Sequence, residues 1–250
     1  MNLIELLPLT FVDALIVCII MTIGATFHGS IGFGLALIVV PLLILINPIM
    51  VPGPVIFSVF ILSIMISYKN RAFIDLSGLK SAIVGRIPGA IAGATVIAVL
   101  PTTILSITLG GIVIVAVILS IIGFRIQPTV LNLFFAGILS GFMGITTSIG
   151  GPPMAMIYQH ESAMRFRGTL GGFLIVGTLI SLGALHLVGK FGLIELVVSI
   201  TLSPGIFFGF FISLYTSRLL DNKYLRPAIL MFSSLTATIV IIKNLIALSK

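Results

Sequence analysis

Ten apolar runs, each closed by Gly, Pro or charged residues, constrain the fold of this 250-residue chain more than any other feature. Most of them approach the roughly 20 residues that an α-helix needs to cross a hydrocarbon core of ~30 Å. Only 8% of the residues are charged, against about a quarter in soluble domains. The sequence therefore predicts an all-α integral membrane protein embedded in a lipid bilayer. The runs cover approximately residues 8–28, 32–47, 52–68, 77–100, 102–123, 128–147, 150–159, 168–188, 191–217 and 226–247.

The formal net charge of +7 comes mostly from Lys and Arg residues that lie between the apolar runs. Lys and Arg favour the cytoplasmic side of a membrane, so we interpret the charge as a topology signal and expect no nucleic-acid partner. We assume that the first two runs of each half of the chain return to their own side and that the loop 69–80 lies inside. This orientation places nine basic residues inside: Lys69, Arg71, Lys80, Arg125, Arg165, Arg167, Arg218, Lys223 and Arg226.

Two short motifs recur at nearly the same offset along the chain. The triplet SIG at residues 30–32 recurs at 148–150, and PGAIAG at 88–93 recurs as PGIFFG at 204–209, at offsets of 118 and 116. The sequence therefore predicts one transmembrane domain, 1–250, built from two repeats of about five segments, approximately 1–124 and 125–250, with eight to ten transmembrane or re-entrant helices. Each half makes an odd number of net crossings, so the repeats are inverted, as is typical of secondary transporters. We interpret the PG motifs as close helix contacts.

The stretch TTSIGGPPMAMIYQHE places two glycines and two prolines inside an apolar run and predicts a broken helix. A similar break is predicted after Ser30, and the run 150–159 is short enough to be half-length or re-entrant. Broken backbone within a membrane requires protein or a wet cavity to satisfy its polar groups. Helices that begin at Gly34 and Gly151 would aim their free amides at this cavity, with Ser30 and Ser148 as caps or ligands. Such a place attracts anions.

Side chains near the two breaks complete the predicted site. Arg86 is an intramembrane cation suited to anion binding, although it could also snorkel to the surface or pair with Asp75. His28 could carry a proton or donate to the substrate, or be hydrogen-bonded within the packing. The threonines are hydroxyl donors that could equally bond their own helix backbone. The candidate substrate-binding residues are Thr26, His28, Ser30, Gly32, Gly34, Arg86, Thr146, Thr147, Ser148, Gly150, Gly151 and Pro152.

Several function classes find no support in the sequence. It contains no catalytic constellation and no nucleotide-binding G-x-x-x-x-G-K-[ST] loop, so we expect neither an enzyme nor a cofactor or metal site. Five of the six acidic residues lie at segment ends, and Asp13 lies within the first apolar run. The sequence therefore offers no intramembrane carboxylate pair to bind sodium, which leaves a proton as the default coupling ion. An anion channel and a non-transporting membrane subunit remain alternatives to a secondary transporter, and a homo-oligomer remains open.

The runs GSIGFGLALIVVPLL and GFMGITTSIGGPPMAMIY resemble the TauE/SafE family of sulfite and organosulfonate exporters and permeases, over essentially the whole chain. This resemblance implies a small carrier, usually in the bacterial inner membrane, that moves sulfite, sulfonates or other small anions. Members commonly carry a glycine triplet in the first half, where this chain has Gly32-Phe33-Gly34.

Overall fold

The computed structural model describes residues 11–100 and 126–219, with isolated helical positions between 104 and 118 and between 231 and 242. Within these residues the secondary structure is helical, and no strand is present. The predicted segments 102–123 and 226–247 fall largely outside the described residues. The long ranges contain eight α-helices: α1 (Phe11–Ile31), α2 (Leu35–Ile46), α3 (Gly53–Lys69), α4 (Leu79–Val99), α5 (Val130–Thr147), α6 (Pro152–Tyr158), α7 (Ala163–Leu187) and α8 (Leu193–Leu219).

Six of the described helices are long and apolar enough to cross a membrane by their length and composition: α1, α3, α4, α5, α7 and α8. The remaining two are much shorter, since α2 has 12 residues and α6 has 7. At about 1.5 Å per residue they extend only ~18 Å and ~10 Å, well short of a ~30 Å hydrocarbon core. The prediction of an all-α membrane protein with half-length helices is confirmed.

Local capping explains where two of the helices begin. The Thr129 hydroxyl accepts a hydrogen bond from the Asn132 amide at the start of α5, and Ser162 accepts one from the Arg165 amide at the start of α7. With Ser162 as its cap, α7 begins at Ala163, five residues before the predicted run 168–188. Arg165 and Arg167, which lie between the predicted runs 150–159 and 168–188, therefore belong to the first turns of this helix.

Glycines allow two pairs of helices to pack backbone against backbone. A Cβ on Gly85 or Gly89 of α4 would overlap a carbonyl of α5, and one on Gly205 or Gly209 of α8 would press on a carbonyl of α1. The partners advance together along both helices, so each pair is parallel. The interpretation of the two PG motifs as close helix contacts is confirmed.

The packing of the helices is unchanged when the two halves of the chain are exchanged. The first helix of the chain, α1, packs along α8, while α5, the first full helix of the second half, packs along α4. Between these pairs, α3 packs on α7. Exchanging residues 1–124 with 125–250 reproduces the same pairing, so the packing is compatible with a duplication, which stays a prediction.

Charged residues mark one end of the helix bundle. Arg165 forms a 2.9 Å ion pair with Asp75, which joins the α3–α4 connection to the start of α7. Hydrogen bonds from the Ser77 hydroxyl and from Arg165 lower the pKa of Asp75. At the opposite end, Gly53 at the start of α3 lies beside Lys190. The basic residues at 69–80 and at 165–167 therefore share one end, which we call the basic end.

Candidate functional site

Both predicted helix breaks are present. The first runs from Gly32 to Gly34, where the two glycines have φ angles of 109° and 115°. The second runs from Ser148 to Gly151 and begins with Ser148 at φ 63°, in the left-handed region. Glycine adopts a positive φ at little cost because it lacks a Cβ, so the first break depends on both of its glycines.

The two breaks meet and border one small cavity. A Cβ on Gly151 would lie 3.0 Å from the Cβ of Phe33, so the backbone of the second break touches the first. About 20 Å³ of the cavity is open to the centre of a water molecule, which is room for a water or a very small ion. Six of the predicted site residues line it: His28, Gly34, Ser148, Gly150, Gly151 and Pro152.

His28 is the most unusual side chain at this cavity. Its imidazole is only 3% exposed, and neither ring nitrogen has a hydrogen-bond partner among the described residues. A buried polar group without a partner costs free energy, so such groups are rare in folded proteins. The ring nitrogens of His28 are therefore available to a group that enters the cavity.

The second break supplies backbone donors from glycines. Pro152 and Pro153 occupy the first two positions of α6 and have no amide hydrogen. The hydrogen-bond donors nearest to the start of α6 are therefore the backbone amides of Gly150 and Gly151. Because α6 has only seven residues, these individual amides matter more here than a helix dipole does.

The Ser148 hydroxyl does not cap α6. It donates a 3.0 Å hydrogen bond to the carbonyl of Pro52, while Gly151 stands at the N-cap position and no side chain caps the helix. The expectation of Ser148 as a helix cap is wrong because its left-handed backbone ends α5 instead. Ser148 ties the second break to the start of α3.

Arg86 is a buried cation beside the second break. It is 1% exposed, and its Nη1 donates a 2.7 Å hydrogen bond to Ser140. Its Nη2 donates to Ser181 at 3.4 Å, and its guanidinium lies 5.1 Å from the centre of the Phe173 ring. A Cβ on Gly150 would lie 3.1 Å from Nη1, so the guanidinium lies directly behind the break.

Neither alternative interpretation of Arg86 holds. Its burial rules out snorkelling to the surface, and Asp75 is paired with Arg165 instead. Neither salt bridge found among the described residues involves Arg86. Its positive charge therefore has serines and an aromatic ring as neighbours, and no carboxylate of the described residues neutralises it.

The other predicted site residues lie outside this cavity. The hydroxyls of Thr26, Thr146 and Thr147 each donate to a carbonyl of their own helix, at 2.8, 2.7 and 2.7 Å. Ser30 likewise donates to Thr26 and contacts Thr216 of α8. Gly32 faces Phe166 and Arg167 at the start of α7.

Sequence reasoning missed the apolar wall of the cavity and Ser140. Phe33 carried a signal, since it interrupts a pair of glycines inside a predicted break. The other wall residues and Ser140 look like ordinary membrane-helix residues, so their sequence context gives no signal. The missed wall consists of Phe33, Ala36, Leu37, Val59, Ile149 and Leu174.

A second, wider cavity also has Phe33 in its lining. About 150 Å³ of it is open to the centre of a water molecule, and Ser30, Ala155, Glu161 and Phe166 are among its lining residues. We call it the vestibule, and it borders the start of α7 at the basic end. Phe33 lines both cavities and packs edge-on against Phe166, with ring centres 6.2 Å apart.

Comparison with known proteins gives one match. The family model described as Sulfite exporter TauE/SafE matches residues 16–240. This range contains both breaks, Arg86 and nearly all of the described helices. No curated protein and no solved structure matches the chain.

Proposed function

This chain belongs to the sulfite exporter TauE/SafE family, and from that premise we propose that it is a secondary transporter of a small anion of the sulfite or sulfonate type. It is a multi-pass membrane protein of a transporter family, and six of its described helices are suited to crossing a bilayer. Its substrate would bind where the two breaks meet, and the cavity there would have to widen, since its present size suits a water or a very small ion. The basic end would face the cytoplasm, in the bacterial inner membrane.

The observation that carries this proposal is the charge of Arg86 behind the Gly150 backbone, which forms no salt bridge with any residue that the structure describes. A buried charge is costly in a low-dielectric environment unless an opposite charge offsets it. An anion in the cavity would provide that charge. The amides of Gly150 and Gly151, and the N-terminus of the 12-residue helix α2 at Gly34, would add donors.

The separation of the two cavities favours a carrier over a channel. Phe33 lines both the small cavity and the vestibule, and in this proposal its ring is the barrier that would close off a bound substrate from the basic end. A carrier that works by alternating access requires such an occluded site, whereas a channel requires a continuous path. Movement of Phe33 would open the site toward the vestibule.

His28 is the strongest candidate for the coupling proton. It is the only titratable residue among the described residues that line the cavity. No Asp or Glu is present in that lining to serve a sodium ion or a carboxylate relay. A proton on His28 would also add a hydrogen-bond donor for the anion.

Purified protein tests the proposal in two steps. A thermal-shift screen with sulfite, methanesulfonate, sulfate and acetate should show stabilisation by sulfite or methanesulfonate, because a ligand of the folded state raises its apparent stability. In proteoliposomes the same anion should show saturable flux. Single-channel currents would instead establish the channel, and neither binding nor flux would point to a non-transporting subunit.

A further inference from the structure

Two buried serines contact Arg86, and they differ in the carbonyl to which each hydroxyl donates its hydrogen. Ser140 of α5 accepts a 2.7 Å hydrogen bond from Arg86 and donates its own hydrogen to the carbonyl of Gly150 in the second break. Ser181 of α7 accepts a longer bond of 3.4 Å from Arg86 and donates to the carbonyl of Gly177 in its own helix, at 3.0 Å. Both serines are completely buried.

The Ser140 bond fixes the orientation of one peptide group at the cavity. In a trans peptide the carbonyl of Gly150 and the N–H of Gly151 point in opposite directions. Ser140 holds that carbonyl on the side of Arg86, so the N–H of Gly151 is directed away from it. Gly151 contacts Phe33 and lines the cavity.

Arg86 cannot easily reach the cavity itself. A Cβ on Gly144, Gly150 or Gly177 would crowd its guanidinium, so these positions enclose it closely. Arg86 is also absent from the lining of the cavity. Its influence on a bound anion must therefore act across the Gly150 peptide, and Ser140 provides the hydrogen-bonded connection.

We propose that Ser140 is a positioning residue that couples Arg86 to the second break and holds the Gly150–Gly151 peptide with its N–H toward the anion. A hydroxyl that accepts from a cation becomes a stronger donor, so Arg86 strengthens the bond from Ser140 to Gly150. This inference rests on the proposed function, because it assigns a role at the same anion site.

Ser140→Ala and Ser181→Ala form a matched pair that tests the inference in the full-length reconstituted protein. Each variant removes one buried hydroxyl from Arg86, so the pair compares loss of an Arg86 contact with and without loss of the bond to Gly150. We expect Ser140→Ala to raise the KM for sulfite or methanesulfonate flux about tenfold, as for loss of one charge-assisted hydrogen bond. Ser181→Ala should stay within about twofold of the wild type. Thermal unfolding of both variants measures how much each substitution lowers stability, independently of its effect on KM.

A double substitution tests whether Ser140 acts together with Arg86. If it does, the effects of Arg86→Gln and Ser140→Ala on KM should not add. Equal KM changes in the two serine variants, or a change in thermal stability alone, would overturn the inference. Should Ser140→Ala fail to fold, Ser140→Cys replaces it with a small side chain and a weaker donor. An unchanged KM in Ser140→Cys would then count against the inference.

The wild type separates this inference from the proposed function. Absence of anion binding and flux in the wild-type protein contradicts the proposed function itself. Wild-type flux with an unaffected Ser140 variant contradicts only the role of Ser140.

Discussion

Phe33 of the first break lies against Gly151 of the second, with only 3.0 Å between the Phe33 Cβ and the position that a Cβ on Gly151 would take. These residues are 118 positions apart in the sequence, yet they border one cavity. The contact makes the site dependent on both halves of the chain. It also places the ring that lines both cavities directly beside the proposed anion site.

Filling the second break should stop transport without unfolding the protein. In Gly150→Leu the new side chain would displace the Arg86 guanidinium, 3.1 Å from the Cβ position, and occupy the backbone approach. We expect anion flux in proteoliposomes to fall to background while the protein still purifies as a folded species. Gly183→Leu on α7 is the matched control, since a Cβ there meets open space. Normal flux in Gly150→Leu would remove the second break from the site.

Arg86 should contribute through both its charge and its planar fork. Arg86→Gln removes the charge, whereas Arg86→Lys keeps the charge but cannot reproduce both serine contacts. We expect sulfite or methanesulfonate to stabilise the wild type most, Arg86→Lys less and Arg86→Gln least in a thermal-shift titration. If the two variants bind the anion equally well, a purely structural arginine is the better interpretation.

His28 should determine whether transport is coupled to protons. We expect His28→Gln to abolish proton movement during anion flux, because glutamine keeps hydrogen-bonding groups but does not titrate. A pH-sensitive dye trapped inside proteoliposomes measures this movement while flux is followed in parallel. The exposed His160 gives the control variant His160→Gln. Unaltered proton movement in His28→Gln would exclude the ring as the coupling site.

Phe33 should control access from the vestibule. In a Cys18→Ser background, Ala36→Cys places a thiol at the small cavity and Ala155→Cys places one at the vestibule. A membrane-impermeant thiol reagent added at the basic end should modify Ala155→Cys faster. Adding Phe33→Ala should accelerate modification of Ala36→Cys several-fold and leave Ala155→Cys unchanged. Equal rates before and after this substitution would show that Phe33 is no barrier.

Asp75 should contribute pH-dependent stability at the basic end. Its pKa is lowered in the folded protein, first by the Ser77 hydroxyl and then by Arg165. Its contribution is therefore fully present above the unfolded pKa of about 3.9 and lost as pH falls through the folded pKa. We expect Asp75→Asn to lower the unfolding temperature modestly near neutral pH, since the side chain of Arg165 is 46% exposed. The difference from the wild type should disappear in acid, and a constant difference across pH would contradict the assignment.

Local properties of the residues determined much of the fold. The described helices lie within a few residues of the predicted apolar runs, except for the earlier start of α7. Glycine allows a positive φ and proline removes an amide hydrogen wherever they occur, so residues 32–34 and 148–153 identified both breaks from sequence alone. The short length of α6 likewise follows from the spacing between SIGGPP and Gln159.

Only the tertiary structure decided which side chains form the site. Arg86 and Ser140 are 54 positions apart, and nothing in either local sequence indicates their hydrogen bond. The same limit applies to Phe33, whose place between two cavities depends on α6 and α7. The hydroxyls of Thr26, Thr146 and Thr147 bond their own helices because a carbonyl four residues earlier is always within reach. Hydropathy and backbone preference belong to each residue and its neighbours, whereas a binding site depends on contacts between distant segments that packing alone brings together.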